Sequence, residues 1–341
     1  MSVIAELSHP NSIWTWTGVG KGRRFSLWLP YLQEIIRPNK KQWRFVYNGG
    51  EVTTRLDAME SMLIYGACGE IPVALLDEMA AQNITLMIHR RNMPQPMVFY
   101  PLPATDSKDL LTKQILAREN QKTATYIART LIRARLQHFN GINVSATILK
   151  KLGAVRTVSG VRVIEAAQTR RYWDRYYADL GIEGLSRRDE HPVNQALDAL
   201  SFFLAGILLR WVLFHKLSPA HGFLHEQTNY AALVYDLMEP HRWLIEEAVS
   251  NAVRQYPTAI EEKSLVQHAI NHLKGSLEED VYVPATRQVV ARKNLLHGNV
   301  LALRSYLLGE TRRFVVPVEG KRKGGRPPKV HYHIPGGRKP A

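Results

Sequence analysis

The chain of 341 residues has a single cysteine, Cys68. One thiol can neither close an internal disulfide nor build a cysteine-based zinc cluster, which fits a reducing compartment, and Cys68 reads as a small buried hydrophobe. No basic start followed by an apolar run opens the chain, and Glu6 interrupts its first ten residues, so a secretion signal is not expected. Long hydrophobic runs are scarce too. Ala199 to Phe214 is broken by Arg210 and is shorter than the run of about 20 residues that spans a bilayer. It reads as a buried core helix, with a cytoplasmic location and no membrane partner expected. Acid is the minority charge: 45 Lys and Arg stand against 30 Asp and Glu, a formal net of +15. Such a surface attracts polyanions such as nucleic acid or acidic lipid.

Apolar residues make up 45% of the chain, enough for a substantial core, and the length suggests two domains. From Ser12 to about Met97 the texture is strand-like, as in Trp43–Tyr47, Ser61–Tyr65 and Ile84–Ile88, with Asn48-Gly49-Gly50 marking a turn. Pro72 to Ala81 interrupts these runs as a short helix with proline in its first turn. Pro94, Pro96, Pro101 and Pro103 can continue neither a central strand nor a helix, which places a boundary there. Beyond Asp106 the apolar spacing changes to three and four, through Leu197, Leu200, Leu204 and Leu208 for example. The expected class is α+β: a β-rich domain over residues 1–100, an α-helical domain over 105–310, and a basic tail over 311–341. That tail holds nine Lys and Arg against Glu319, and its Gly- and Pro-rich composition predicts disorder.

The chemistry-bearing residues cluster between Asp189 and Trp243. His225 and Glu239 are fourteen residues apart, about 21 Å along one helix, so they can share an ion only if the chain turns between them. Ser218-Pro219, Gly222 and Thr228-Asn229 supply turn formers. Asp236 and Glu239, at i and i+3, would lie on one helical face. Glu165 sits in a helical stretch with Thr169, Tyr172 and Tyr176 at near-helical spacing. Taken alone, each of these residues reads first as a solvated or locally paired side chain, with Arg170 or Arg171 as the obvious partner for Glu165.

Three motifs, in this order, carry more. Arg187-Arg-Asp-Glu-His-Pro-Val-Asn194, Gly222-Phe-Leu-His225 and Asp236-Leu-Met-Glu-Pro-His-Arg242 together resemble the CRISPR-associated integrase family, the catalytic subunit of the spacer-acquisition complex. Lys113-Gln114 and Ile127–Arg135 add to the likeness, which runs over about residues 60 to 310 and departs from the commoner pattern at Ala166 and His241. Residues 13–41 match nothing placed. The resemblance implies a metal-dependent DNA endonuclease and integrase, with Glu165, His225 and Glu239 as ligands of Mg²⁺ or Mn²⁺ and Asp236 as a supporting or alternate ligand. Two carboxylates and one imidazole suit such hard cations. It also implies a homodimer formed through the N-terminal domain, a small second CRISPR adaptation protein as partner, and double-stranded DNA as substrate.

DNA contacts are expected from Arg118, Lys122, Arg129, Arg133 and Arg135, and from Arg170, Arg171, Arg187 and Arg188, although a solvated charged face is the bland alternative. In the tail, Lys321, Arg322, Lys323 and Arg326 form part of a Gly-Arg-Pro segment that resembles an AT-hook; a nonspecific basic tail is the other reading. Two competing functions remain open: a transposon-borne integrase of the same family, and a non-catalytic basic DNA-binding protein in which the three residues merely pair with arginines.

Overall fold

A computed structural model describes residues 24–66, 69–90, 96–100, 109–139, 144–260, 264–321 and 330–340. Cys68, the strand texture expected before Arg24, and Arg322, Lys323 and Arg326 lie outside them. The fold is mixed α+β, and the chain divides into two compact units, Met1–Ser107 and Lys108–Ala341.

The first unit holds two sheets. Strands β1 (Phe25–Pro30), β5 (Met59–Tyr65), β6 (Thr85–His89) and β7 (Met97–Phe99) form one, in that spatial order, parallel up to β6 and antiparallel at the β7 edge. Between β1 and β5 the chain makes an antiparallel meander of β2 (Leu32–Asn39), β3 (Gln42–Tyr47) and β4 (Gly50–Thr54). Asn48-Gly49 is the two-residue loop that joins β3 to β4, with Gly49 at φ 115°, a conformation that glycine reaches without steric cost. Parallel neighbours require a crossover, and α1 (Val73–Ala81) supplies it between β5 and β6 while burying Leu75 and Met79 one turn apart.

Helices make up most of the second unit: α2 (Leu110–Glu119), α3 (Gln121–Leu136), α4 (Ala146–Ala154), α5 (Val158–Asp179), α6 (Pro192–Phe214), α7 (Ala232–Met238), α8 (Trp243–Gln255) and α9 (Leu265–Glu278). A hairpin of β8 (Asp280–Val283) and β9 (Gln288–Ala291) leads into α10 (Asn294–Leu307). The α6 helix is long and apolar enough to cross a bilayer, yet 72% of its most apolar window is buried, and α7, α8, α9 and α10 pack around it. Leu197, Leu200, Leu204 and Leu208 are buried there at the spacing noted in the sequence. Polar residues cap the helices: Asp109, Asn120, Ser145 and Thr157 each accept a backbone N–H of the first turn of α2, α3, α4 and α5.

The basic C-terminal segment is packed on both sides of residues 322–329. Phe314, Tyr332 and Ile334 are buried, Val289 and Arg338 exchange two backbone hydrogen bonds, and the Gln288 amide both donates to and accepts from the backbone of Ile334. Composition alone suggests disorder throughout, but a few apolar anchors and one unpaired strand edge suffice to hold these flanks. Gly298 on α10 lies under Ile334, and a Cβ there would meet Ile334 Cδ1 at 2.9 Å. Truncating Ile334 to alanine should destabilise the helical unit by about 2–5 kcal/mol. Chemical unfolding checks this, and an unchanged midpoint would mean that the segment 330–340 does not pack.

Candidate metal centre and nucleic-acid interface

The site starts from a loop, residues 215–231, that one face of α2 clamps. Gln114 is fully buried and its amide is completely used: Nε2 donates to the carbonyls of Ser218 at 2.9 Å and His221 at 2.7 Å, and Oε1 accepts from Ser218 N at 2.8 Å. One turn later Arg118 donates to Gly222 O at 3.1 Å and Glu226 O at 2.7 Å. These two side chains, four residues apart and so on one helical face, bracket His225. The Gln114–Arg118 spacing was the available signal in the sequence for this clamp.

Asp236 holds the loop from the other side. Fully buried on α7, its carboxylate accepts from the backbone N–H groups of Phe223, of Leu224 at 2.8 Å and of His225 at 3.0 Å, and from His225 Nδ1 at 2.7 Å. Gly222 permits this close approach, since a Cβ there would meet Asp236 Oδ2 at 2.8 Å and His225 O at 2.7 Å. With Nδ1 spoken for, the imidazole is fixed in orientation and tautomer, and no described residue engages Nε2. Burial alone would lower the His225 pKa, but the hydrogen bond and charge of Asp236, helped by Glu239 and Glu165, raise it overall.

Glu165 on α5 and Glu239 meet at Arg135. The Nη1 of Arg135 donates to Glu165 Oε1 at 3.0 Å and to Glu239 Oε2. Arg242 adds a second guanidinium, donating to Glu239 Oε1 at 3.1 Å, while Thr169 donates to Glu165 at 2.9 Å. Glu239 is buried, which would raise its pKa, yet Arg135 and Arg242 outweigh that and hold the carboxyl below its ordinary range. Three expectations change here. Asp236 and Glu239 do not share one helical face, because α7 ends at Met238 and Glu239 opens a 3₁₀ turn with Pro240 behind it. Glu165 pairs with Arg135, not with Arg170 or Arg171. Arg135 is buried between carboxylates, so it is a buried counterion and not a DNA contact.

The family model described as CRISPR associated protein Cas1 matches residues 33–264. The chain belongs to the Cas1 family. That match begins inside the stretch 13–41 left unplaced from the sequence. CRISPR-associated endonuclease Cas1 2 of Pyrobaculum aerophilum is 28% identical over 108 residues, 31% of this chain and 37% of that relative, so the alignment spans little over a third of its length. Among solved structures, a casposase bound to integration product superposes with a TM-score of 0.71 at 17% identity, covering 85% of this chain and 92% of that one. A Cas1 protein from Thermotoga maritima gives 0.69 at 19% identity, with 87% and 100% covered. At these identities both establish a shared fold.

In this Cas1-family chain the remaining arginines fall into two groups. Arg129 donates to Gly153 O at 2.6 Å and Val155 O at 3.2 Å, and Arg133 to Leu149 O at 3.3 Å, so they tie α4 to α3. Arg187 pairs with Asp198 and lies 5.8 Å over the Trp173 ring. Arg170, Arg171 and Arg188 are exposed, as is Lys321. His241, the departure from the commoner family pattern, is buried, and its pKa is pushed down to about 3 by desolvation and by His138, so it packs as a neutral ring.

The donor set suits a hard divalent cation: two carboxylates and an imidazole with one nitrogen unengaged. Among the described residues no cluster of three or more His, Cys, Asp or Glu is arranged to hold a metal ion as it stands. The guanidinium of Arg135 lies between the two carboxylates. Replacing Asp236 with alanine would leave three buried N–H groups unpaired, at about 1–3 kcal/mol each, and would free the imidazole. Thermal unfolding should show the loss, and a variant as stable as the parent would contradict the bracing role of Asp236.

Proposed function

We propose that this chain is a divalent-cation-dependent DNA endonuclease and integrase that inserts short DNA fragments into a CRISPR repeat array. The supporting observation is convergence: Glu165 and Glu239, from distant parts of the chain, meet at one nitrogen of Arg135, and both act electrostatically on His225. A basic protein with structural ion pairs only would have no use for a histidine braced at Nδ1 and unengaged at Nε2.

Glu165, Glu239 and His225 Nε2 would hold Mg²⁺ or Mn²⁺. When bound, such a cation polarises a phosphoryl oxygen and lowers the pKa of a nearby hydroxyl. The chain's own residues do the rest. Asp236 keeps the Nδ1 proton of His225 in place, Arg242 keeps Glu239 ionised, and Gln114 with Arg118 keep the loop from drifting. Exposed arginines such as Arg170, Arg171 and Arg188 would hold phosphates without reading bases. In the reaction, the 3′-oxygen of the fragment bonds to phosphorus as a strand phosphodiester breaks, and the proton lost by the attacking hydroxyl balances the one gained by the leaving oxygen. The reading carries the homodimer and a small second CRISPR adaptation protein as partners.

Strand transfer provides the test. Purified protein, Mn²⁺, a short duplex with free 3′-hydroxyls and a supercoiled plasmid bearing the repeat should give joined products that Glu165→Ala and His225→Ala each reduce by at least about 100-fold. Products insensitive to both substitutions would leave a non-catalytic DNA-binding protein, and insertion that requires transposon ends instead of free fragments would favour the transposon-borne reading. A proton on Nε2 competes with the cation. Because the pKa of His225 is raised, Mn²⁺ affinity should be low below that pKa and rise as pH climbs through it, with Asp236→Asn moving the transition to lower pH. Calorimetric titrations from pH 5.5 to 8.5 would show it; an affinity flat across that range removes His225 from the ligand set. Replacing Arg170 and Arg171 together should flatten the salt dependence of duplex binding by about two units of slope if both contact phosphates.

A further inference from the structure

A cation held by Glu165 and Glu239 would lie against the guanidinium that now joins them. Two positive charges in a buried space repel, so Arg135 must find another carboxylate or resist the cation. Glu246, on α8, is a further buried carboxylate whose charge acts on Arg135. Its Oε2 accepts from Tyr172 at 2.8 Å, its backbone carbonyl accepts from Tyr176 at 2.9 Å, and its Oε1, like Nε of the arginine, is buried with no hydrogen-bond partner among the described residues. Burial raises the Glu246 pKa overall, and the nearby charge of Arg135 acts against that rise. Aromatic contacts connect the two: the guanidinium carbon is 5.4 Å from the Phe139 ring, which stacks at 4.4 Å on Tyr172, the tyrosine that donates to Glu246.

We infer that Arg135 exchanges partners when a divalent cation binds, leaving Glu165 and Glu239 and pairing through Nε with Oε1 of Glu246, so that Glu246 sets the cation affinity of a site it does not touch. This rests on the metal-dependent reading above. Glu246 is a positioning residue in this scheme. Tyr172 holds its carboxylate by Oε2 while Tyr176 anchors its backbone carbonyl, and the two unpartnered atoms are the ones that the exchange pairs. Unpaired buried polar atoms are costly, so their coexistence points to a second arrangement of the same side chains.

Mn²⁺ calorimetry on the full chain, with wild type, Glu246→Gln, Arg135→Gln and the double variant, tests the coupling. The expectation is that Glu246→Gln weakens Mn²⁺ binding by about 10-fold in wild type but by less than about 2-fold once Arg135 is absent. Equal weakening in both backgrounds, or none in wild type, overturns the exchange. Should the Arg135 variants fail to fold, arginine Nε–H resonances followed during Mg²⁺ titration serve instead. The Arg135 signal should move to lower field in wild type and stay fixed in Glu246→Gln. A signal that stays fixed in wild type while Mg²⁺ binds sinks the exchange and spares the metal reading. Absence of Mn²⁺ binding by wild type, or binding indifferent to Glu165→Ala, sinks both.

Discussion

Arg135 is the residue on which the helical unit's interior turns. A buried guanidinium is tolerable only among carboxylates, and a buried Glu239 only beside cations; each makes the other possible. Through that pair, α3, α5 and the turn after α7 are tied together, since Glu165 reaches in from α5. Removing one member of such a group leaves a desolvated charge, a loss of about 3–5 kcal/mol, whereas the intact group adds little net stability over an apolar substitute. Stability alone would therefore not retain it. The group holds the Glu165 and Glu239 carboxylates at one place and keeps Glu239 ionised there.

Around that core the chain builds a second bracket, from neutral and charged hydrogen bonds instead of ion pairs. Asp236 gathers three consecutive backbone N–H groups and one imidazole, which turns a stretch without helix or strand into a rigid loop. Gln114 and Arg118 hold the same loop by its carbonyls. Donors and acceptors of the loop backbone are thus satisfied from opposite sides. The ligand role proposed for His225 calls for precision of this kind, because a small displacement of an imidazole ruins ligand geometry.

Much of the fold was legible beforehand. Alternation in Trp43–Tyr47, Asn48-Gly49 at a turn, Pro72 before a short helix and the leucine spacing of α6 each express a local rule that tertiary context did not override. The motifs around His225 and Asp236–Arg242 identified the family because their residue types and order are specific. Local rules failed where long-range pairing decides. Arg135 looked like one more member of a basic face with Arg129 and Arg133, since periodicity places a residue on a helix but says nothing about which acid awaits it. The basic C-terminal segment looked disordered because composition averages over it, while a few side chains such as Ile334 anchor its flanks.

The sequence by itself determined the polyanion-seeking charge, the change from strand to helix near the proline cluster, and the residue types available for chemistry, because these depend on composition and near-neighbour spacing. Only the tertiary structure decided that Glu165 and Glu239 meet at Arg135, that Asp236 braces His225 instead of standing beside Glu239, and that Glu246 waits behind them. Partners separated by 74 or 104 positions along the chain are chosen by packing, and burial then magnifies every charge that packing brings together.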